Sequence, residues 1–500
     1  MAASLEKAVL GEAHPLDKKL ASDNVVANSS ASSESQDMAT EIYHLDAKAD
    51  RRLTNKIDLK ITPVMGLLYL VCFLDRTNIA NARLAGLEKG LSMPSTGFNT
   101  ALWIFYIPFV LFEVPSNWIM GLRWIKPNLF LGSQMLILGI LAMCQGLTKS
   151  YEGLLAIRFL MGIVETGLPA GAGLLIASYY RKKELSLRFA LFFAFGQCGS
   201  CFSGLLAYAL MDLSGTAGLA GWSWIFLVEG LITIVISVFI FIFTPHFPAQ
   251  DKWLSKEDQI QLLARLQLDK GQEKQVMGAK VNWVKIVFDY KVWLLTLLFF
   301  CADMSAGSLS SFNPTILSQL GWTARRAQVM TIPVWVIGIV GALTTTLLSG
   351  RLNMRWPFIL PAILVSVVGW IIHLLQVNPP GVRYFAQFLI SFGTFVCMPM
   401  YIGMLTANLR GRASQSFGTA ILLGIGNCAN FVSSNVFITT QSPRYPVGFG
   451  TGLGVTALAF PVMLLTMIIF IMHNKKIDRK IAALQPGEEL DDQVDYKYVY

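Results

Sequence analysis

Charged residues are scarce in this chain of 500 residues: they make up 14% of it, whereas 54% is apolar. A soluble protein of this size carries about 25% charge and shows amphipathic periodicity. The apolar runs here are too long and too continuous for that pattern. The shortage of charge therefore excludes an ordinary soluble domain. A β-barrel is excluded as well, because its strands would give short alternating segments.

The sequence also lacks the motifs of catalysis and of metal binding. It has no phosphate-binding loop, HExxH motif or nucleophile elbow, which argues against an enzyme and against ATP-driven transport by this chain. The seven cysteines lie in or beside apolar runs, and Cys198 and Cys201 have no second pair. Neither a zinc site nor a disulfide framework is predicted, and we expect no cofactor and no metal.

The net charge of +9 does not indicate a nucleic-acid partner. Lys and Arg lie in short loops beside apolar runs, where they orient a membrane protein, and no aromatic-and-basic binding module lies between them. We expect no cleavable signal peptide, and the first apolar run is expected to act as the targeting signal. Residues 1–58 are polar and are predicted to be a disordered cytoplasmic segment.

Long apolar runs are what the chain has in abundance, and each is long enough to cross the hydrocarbon core as a helix. The predicted spans are 59–76, 98–120, 127–147, 154–178, 188–211, 222–243, 292–317, 327–349, 356–376, 384–407, 414–440 and 450–472. They form two halves, 59–243 and 292–472, separated by the linker 244–291 and followed by the cytoplasmic tail 473–500. We therefore predict an all-α membrane protein of twelve transmembrane helices in two six-helix halves, surrounded by the lipid bilayer.

The two halves are related by weak internal repetition. The segment 121–127 (GLRWIKP) follows the second span, and 350–357 (GRLNMRWP) follows the eighth; Arg158 and Arg383 begin similar segments in spans four and ten. Repetition at half the chain length is typical of a transporter built from two six-helix repeats.

The linker is predicted to contain a short amphipathic helix at the cytoplasmic surface. Ser255 followed by Asp258 resembles a helix cap, and Ile260, Leu263 and Leu266 give one apolar stripe.

The basic residues predict the orientation of the spans. If the spans alternate in direction, most of the Lys and Arg in the loops and flanking segments fall on one side of the membrane. That side is predicted to be cytoplasmic, and both termini lie on it. The pair Arg325 and Arg326 falls on the opposite side and breaks the pattern.

Charges at bilayer depth are the candidate functional residues, because each costs about 2.5–3.5 kcal/mol to insert. In span four, Arg158, Gly162 and Glu165 share one helix face. We expect Glu165 to take up protons and Arg158, as the only arginine deep enough, to offset an anion; the alternative is a structural ion pair to a neighbouring span. Asp75 and Glu229 lie at the depth of Arg158, and either could pair with it.

Other charges are assigned to gating or structure. Asp75 and Arg76 are expected to reach water at the end of the first span. Glu113, near the cytoplasmic end of the second span, is expected to act as a conformational latch that contacts Arg123 or Lys126. Arg410 and Arg412 lie in the loop after the tenth span and belong to the same group.

The second half offers one carboxylate and two amides. Asp303 lies near the middle of span seven, and Asn427 and Asn430 follow each other at helical spacing in span eleven. The carboxylate is a second candidate for proton uptake, and the amides can bind a polar solute. Alternatively, the amides serve as hydrogen-bonding contacts between helices, worth about 0.6 kcal/mol each.

Several motifs resemble those of a known group. They are LDRTN at 74–78, FEVPSN at 112–117, RFLMGIVETG at 158–167, YRKKE at 180–184, WIFLVEG at 224–230 and PRY at 443–445. Over residues 50–480 the chain resembles the major facilitator superfamily, and within it the fungal anion:cation symporters related to allantoate permease. The resemblance implies proton-coupled uptake of a small organic anion or polar nutrient such as a vitamin, ureide, carboxylate or short peptide. Arg158 and Gly162 also match a span-four motif linked to proton transfer.

The chain departs from the resemblance in two informative places. Span five has no Gly-Pro pair, which proton-driven drug exporters of the superfamily usually carry, and this favours uptake over drug export. Ser414 and Gln415 stand where the group commonly has a Lys-Arg pair, for which Arg410 and Arg412 could substitute.

The resulting prediction is a monomeric secondary transporter of the plasma membrane whose partners are a small-molecule substrate and protons. One alternative keeps the fold and reverses the flux, so that a metabolite made by the same cell is exported. Another alternative is a nutrient-sensing receptor that transports little, which a long cytoplasmic signalling domain would indicate; the linker and tail are short.

Overall fold

The structure is a computed structural model that describes residues 47–120, 122, 125–271, 286–352, 354–409, 412–483 and 497–499. Its N-terminal half contains α1 (Ala47–Leu84), α2 (Gly97–Met120), α3 (Pro127–Leu147), α4 (Tyr151–Glu165), α5 (Gly167–Tyr179), α6 (Lys182–Leu210) and α7 (Gly221–Phe243). The linker contributes α8 (Lys256–Gly271). The C-terminal half contains α9 (Tyr290–Gln319), α10 (Ala324–Leu352), α11 (Trp356–Leu374), α12 (Pro380–Asn408), α13 (Arg412–Asn427), α14 (Ala429–Val436) and α15 (Pro446–Ala483).

Apolar length confirms the membrane-spanning character of the fold. Within the described residues, eleven helices are long and apolar enough to cross a membrane, with α4 and α5 forming one span and α13 and α14 another. The twelfth span is α2, whose apolar part is Gly97–Glu113. A helix satisfies its own backbone hydrogen bonds, which is what a lipid environment requires.

The first helix differs most from its predicted span of 59–76. It begins at Ala47 and continues to Leu84, so residues 47–58 are helical, while the predicted disorder of 1–46 lies outside the described residues. Its last two turns carry polar side chains, yet these are buried against α6, where Asn81 donates to Ser203 and Ser203 donates to Asn78. Because a neighbouring helix satisfies these groups, the helix does not end where its apolar run ends.

The linker helix α8 docks on the N-terminal half and defines one side of the molecule, which we call the linker side. Lys56 of α1 pairs with Asp258 at 2.6 Å. Arg265, fully buried, contacts Asp50 of α1 and Glu184 of α6. These contacts hold the start of α1, the start of α6 and the linker in one ionic cluster.

The helix cap of the linker is confirmed, but its buried face differs from the predicted stripe. The Ser255 hydroxyl accepts from the backbone N–H of Asp258 at 3.1 Å. The buried side chains are those of Leu262, Arg265 and Leu266 rather than Ile260 and Leu263, which are only half-buried. The reason is that the ionic cluster, and not an apolar surface alone, sets the rotation of the helix.

The opposite side, which we call the far side, carries contacts between the two halves. Asn99 of α2 donates to the carbonyl oxygens of Ser434 and Phe437 at 2.7 and 3.2 Å. Arg325, at the start of α10, pairs with Asp212 in the connection between α6 and α7 at 2.8 Å. The two halves are therefore joined at their far-side ends, and the exception in the pattern of basic loops has an acidic partner.

Candidate functional site: a charged cavity between the halves

A small cavity lies between the two halves near the middle of the helices. Its lining comes from α1, α2 and α6 on one side and from α9, α10, α12 and α14 on the other: Phe73, Arg76, Tyr106, Phe193, Gln197, Asp303, Ala306, Gly307, Ser310, Trp335, Phe395, Met398, Pro399 and Asn430. Its volume is about 40 Å³, which holds a few water molecules at about 10–15 Å³ each. In this structure the cavity is therefore too small for an organic solute.

Arg76 supplies positive charge to this cavity. Its Nε donates to Oε1 of Glu165 at 2.6 Å, and its guanidinium lies against the rings of Phe109 and Phe73 at 4.7 and 5.7 Å. Aromatic faces attract such a cation, most strongly where water is excluded. Its Nη2 is buried and, within the part of the chain that the structure describes, has no hydrogen-bond partner. One strong donor of the guanidinium therefore remains available to a ligand.

Glu165 is held in place by the packing of span four on α2. The fully buried carboxylate lies at the last residue of α4, next to the break at Thr166. The Thr166 hydroxyl donates to the carbonyl oxygen of Phe109 at 2.7 Å. Three residues before Glu165, Gly162 lies so close to α2 that a Cβ would collide with the carbonyl oxygen of Phe105. The close approach of the two helices aims Glu165 at Arg76.

Asp303 supplies the opposite charge from the C-terminal half. Its Oδ2 accepts from Nδ2 of Asn430 at 2.7 Å. Gly307, one turn along α9, makes this bond attainable, because a Cβ there would lie 2.6 Å from the hydroxyl of Ser433 and still closer to the Asn430 amide. The cavity thus has an arginine on one wall and a hydrogen-bonded aspartate on the other.

A second charged cluster lies in the N-terminal half, away from the cavity lining. Arg158, Asp75 and Glu229 are all buried, and within the described residues Oδ2 of Asp75 and both carboxyl oxygens of Glu229 have no hydrogen-bond partner. Two guanidinium nitrogens of Arg158, Nε and Nη2, are likewise buried without a hydrogen-bond partner in this part of the structure.

The structure corrects two expectations about the arginines. Arg158 does not line the cavity, and Arg76, expected at a water-exposed span end, does. Asp75 is 3% exposed rather than solvated. The physical reason is the extra length of α1, which places both Asp75 and Arg76 inside the protein. The expected pairing of Asp75 or Glu229 with Arg158 stays a prediction, because all three side chains are buried but no ion pair joins them among the described residues.

The remaining predicted residues divide between the cavity and other places. Asn430 lines the cavity, whereas Asn427 donates to the carbonyl oxygen of Leu423 in its own helix.

Glu113 is buried against α13 of the other half, where a Cβ at Gly424 would lie 3.2 Å from its Oε2. The predicted partner Arg123 and the gating residue Arg410 lie outside the described residues, and so does the side chain of Arg412, at which α13 begins.

Sequence reasoning missed most of the cavity lining. Five aromatic residues contribute to it: Phe73, Tyr106, Phe193, Trp335 and Phe395. In a chain with 12% aromatic residues, nothing in the sequence sets these apart. Gln197 is different, because an amide in the middle of span five could have been found by the search that found Asn430.

Comparison with known proteins identifies the family. The sequence profile of the Major Facilitator Superfamily matches residues 65–426. An uncharacterized transporter of Schizosaccharomyces pombe is 30% identical over 96% of this chain and 95% of its own. The high-affinity nicotinic acid transporter of Saccharomyces cerevisiae is 28% identical over 89% of this chain and 82% of its own.

Solved structures support the same fold. The crystal structure of a bacterial homolog to the human lysosomal transporter Spinster, in an inward-facing and unoccupied conformation, gives a TM-score of 0.60 at 14% identity. The structural match covers 81% of this chain and 94% of the bacterial homolog. Since the profile match and the full-length relative agree with this fold, the chain belongs to the Major Facilitator Superfamily and is a multi-pass membrane transporter.

Proposed function

We propose that the protein takes up a small organic anion together with protons. The observation that carries the proposal is the buried Nη2 of Arg76, a charged donor that lines the central cavity without a hydrogen-bond partner in the described residues. A carboxylate is the natural partner for a guanidinium, and a charge-assisted hydrogen bond contributes about 1.5–3 kcal/mol. The anion is therefore expected to bind at Arg76, not at Arg158.

The cavity lining favours an anion with a flat, partly apolar body. Five aromatic side chains surround Arg76 and Asp303, and such rings bind planar groups by stacking. The relative named as a nicotinic acid transporter handles an aromatic carboxylate, which has this chemistry. Asp303 and Asn430 can accept and donate hydrogen bonds at the end opposite the carboxylate. An aromatic or heteroaromatic monocarboxylate is thus the proposed cargo class.

Proton coupling is proposed to act through the bond between Arg76 and Glu165. While Glu165 is ionised, it occupies the Nε of Arg76 and neutralises its charge. Protonation of Glu165 weakens that bond and leaves the guanidinium with an uncompensated charge, which raises its affinity for an anion. Proton and anion then bind together and favour each other. Asp303 remains the alternative site of protonation.

The direction of transport follows from the proposed orientation. The basic linker side is assigned to the cytoplasm, with both termini, and the far side to the exterior of the plasma membrane. A membrane potential that is negative inside drives a net positive complex inward with about 2.3 kcal/mol per charge per 100 mV. The far-side contacts of Asn99 and Arg325 must break when the exterior path opens.

Uptake into proteoliposomes tests the proposal. Purified protein, reconstituted with an imposed inward proton gradient, is expected to accumulate labelled nicotinate or another cargo from a panel of aromatic carboxylates, ureides and short peptides. Arg76→Gln is expected to lower uptake about tenfold to a hundredfold, whereas Lys89→Gln, a charge change at an exposed position of the short far-side helix Leu87–Gly90, has little effect.

Three results would count against the proposal. Uptake of the accepted cargo that is unaffected by Arg76→Gln would remove the anion site. Uptake whose pH dependence is the same in wild type, Glu165→Gln and Asp303→Asn would remove both carboxylates from proton coupling. Flux observed only from the linker side to the far side would support export instead.

A further inference from the structure

A short segment near the end of the chain returns to the membrane domain. Residues 497–499 (Lys-Tyr-Val) follow α15 in sequence and contact the linker-side ends of three helices of the C-terminal half. Nothing in the transport cycle proposed above uses these contacts.

Two asparagines bind the backbone of this segment. The Asn474 amide accepts from the N–H of Tyr498 at 2.7 Å and donates to its carbonyl oxygen at 2.9 Å. The Asn408 amide does the same with Val499, at 2.8 and 2.7 Å. Each amide therefore uses its acceptor and its donor on one residue of the segment, which is how proteins recognise an extended peptide whatever its side chains.

An aromatic pocket holds the one buried side chain of the segment. Tyr498 is 8% exposed, and its ring stacks on His473 with centroids 3.9 Å apart and an interplanar angle of 7°. Phe470 borders the ring at 4.9 Å, and the ammonium of Lys291 lies 4.7 Å from its centroid. Stacking and cation–π contacts of this kind favour an aromatic residue at this position.

The binding residues are already organised by the helices. Lys291, at the start of α9, donates to the carbonyl oxygen of Asn408, at the end of α12, at 3.1 Å. Asn474 and His473 lie on α15 one residue apart, so α9, α12 and α15 meet around the segment. We define the socket as Lys291, Asn408, Phe470, His473 and Asn474.

We propose that the socket is a peptide-binding site whose resident ligand is the chain's own segment 497–499. It binds an aromatic residue through the pocket and reads two consecutive backbone units through the asparagines, so it can exchange its own segment for another peptide of that pattern. Because the resident segment is covalently attached, its effective concentration is on the order of mM, and a free peptide competes only when the resident ligand is weakened.

Hydrogen–deuterium exchange of the purified full-length protein tests occupancy. The N–H groups of Tyr498 and Val499 are expected to exchange about tenfold more slowly than in an unstructured peptide of the same sequence. Asn474→Ala should abolish this protection, whereas Asn435→Ala, an exposed asparagine on the far side, should leave it unchanged. Equal exchange in wild type and Asn474→Ala would overturn the proposal.

A binding experiment tests exchange. A fluorescent peptide with the sequence of residues 491–500 is expected to bind the Tyr498→Ala protein and to bind wild type at least tenfold more weakly. Adding Asn474→Ala to Tyr498→Ala should remove binding, and the peptide with Ala in place of Tyr498 should not bind. Binding that is insensitive to Asn474, or no binding to either protein at mM concentration, would contradict an exchangeable socket.

Discussion

Arg76 and Glu165 form an ion pair across α1 and α4, with Nε of the guanidinium 2.6 Å from Oε1 of the carboxylate and the carboxylate side chain 1% exposed. The pair connects the cavity, which Arg76 lines, to span four, which carries Glu165 outside the lining. In the proposed function, the Glu165 carboxylate and a cargo anion therefore compete for the guanidinium of Arg76.

Replacing Glu165 is expected to separate binding from coupling. In Glu165→Gln the Nε of Arg76 loses its charged partner, so the apparent affinity for the anion should rise several-fold while the pH dependence of uptake flattens. Initial rates of uptake at a series of pH values measure both effects. Glu152→Gln, an exposed carboxylate at the start of α4, is the matched control and should behave as wild type. An unchanged pH profile in Glu165→Gln would contradict the prediction.

The two asparagines of span eleven are expected to differ in function. Asn430→Ala removes the amide that donates to Asp303 and leaves a buried carboxylate unpaired, so the KM for cargo should rise about tenfold. Asn427→Ala removes only a bond to the carbonyl of Leu423 in its own helix and should change KM less than twofold. Equal effects of the two substitutions on KM would show that the contact with Asp303 is not used.

Gly162 is expected to tolerate no side chain. A Cβ at this position collides with the carbonyl oxygen of Phe105, and a backbone atom cannot move aside as a side chain can, so Gly162→Ala should destabilise the protein by about 1–3 kcal/mol. At Gly173 the nearest atom is a ring carbon of Phe189 at 3.5 Å, which is ordinary contact. Thermal unfolding in detergent should therefore show a lower Tm for Gly162→Ala only.

The hydrogen bonds of Asn99 are expected to keep the far side closed. Asn99→Ala removes two bonds between the halves, so the far-side-open state should become several-fold more populated. The measurement is the rate at which a membrane-impermeant thiol reagent labels Ser310→Cys, in the cavity lining, in a protein without its native cysteines. Asn128→Ala removes a bond of the same type within one half and should leave the rate unchanged.

Linker docking is expected to weaken in acid. Burial alone would raise the pKa of Glu184, but its hydrogen bonds with Arg181 and the charge of Arg265 outweigh burial and lower the pKa below its ordinary value of 4.5. Because the pKa of Glu184 is lower in the docked state, its ionised carboxylate contributes fully to docking above pH 4.5. This contribution is lost as the pH falls through the pKa of the docked state. Hydrogen–deuterium exchange of residues 256–266 should therefore accelerate only below pH 4.5.

A substitution at the same carboxylate separates this effect from general acid unfolding. Glu184→Gln should accelerate exchange of the linker helix already at neutral pH, because Arg265 then remains buried without one of its two anionic partners. Glu257→Gln, an exposed carboxylate of the same helix, should leave exchange unchanged. If Glu184→Gln docks as well as wild type, the ionic cluster does not hold the linker.

The positions of most helices follow from the sequence because hydrocarbon requires long apolar segments. The predicted spans 127–147 and 222–243 agree closely with α3 and α7. The first helix was predicted too short, since the asparagines near its end resemble a solvated boundary. Their partner Ser203 lies on another helix, and no local pattern in the sequence reveals it.

The candidate site was predictable in its components but not in their arrangement. Helical spacing shows that Asp303 is deep and that Asn430 lies on a polar face, and the structure brings these two together. The choice between Arg76 and Arg158 depends on the rotation of each helix about its axis and on which neighbour it meets. Depth along a helix can be counted in the sequence, whereas rotation against a partner is set by packing at positions such as Gly162.

Because α1 is long, a small rotation at one of its ends displaces the other end by several ångströms. Arg76 in the cavity and Asp50 in the ionic cluster lie about 39 Å apart along one helix, at about 1.5 Å per residue. If α1 pivots at Arg76 by about 10°, the position of Asp50 moves by about 7 Å, which is more than any ion pair can span. A small rotation of α1 at Arg76 would thus be magnified at the linker side of the molecule. Pro63 lies between Asp50 and Arg76, where a bend of the helix can reduce this displacement or change its direction.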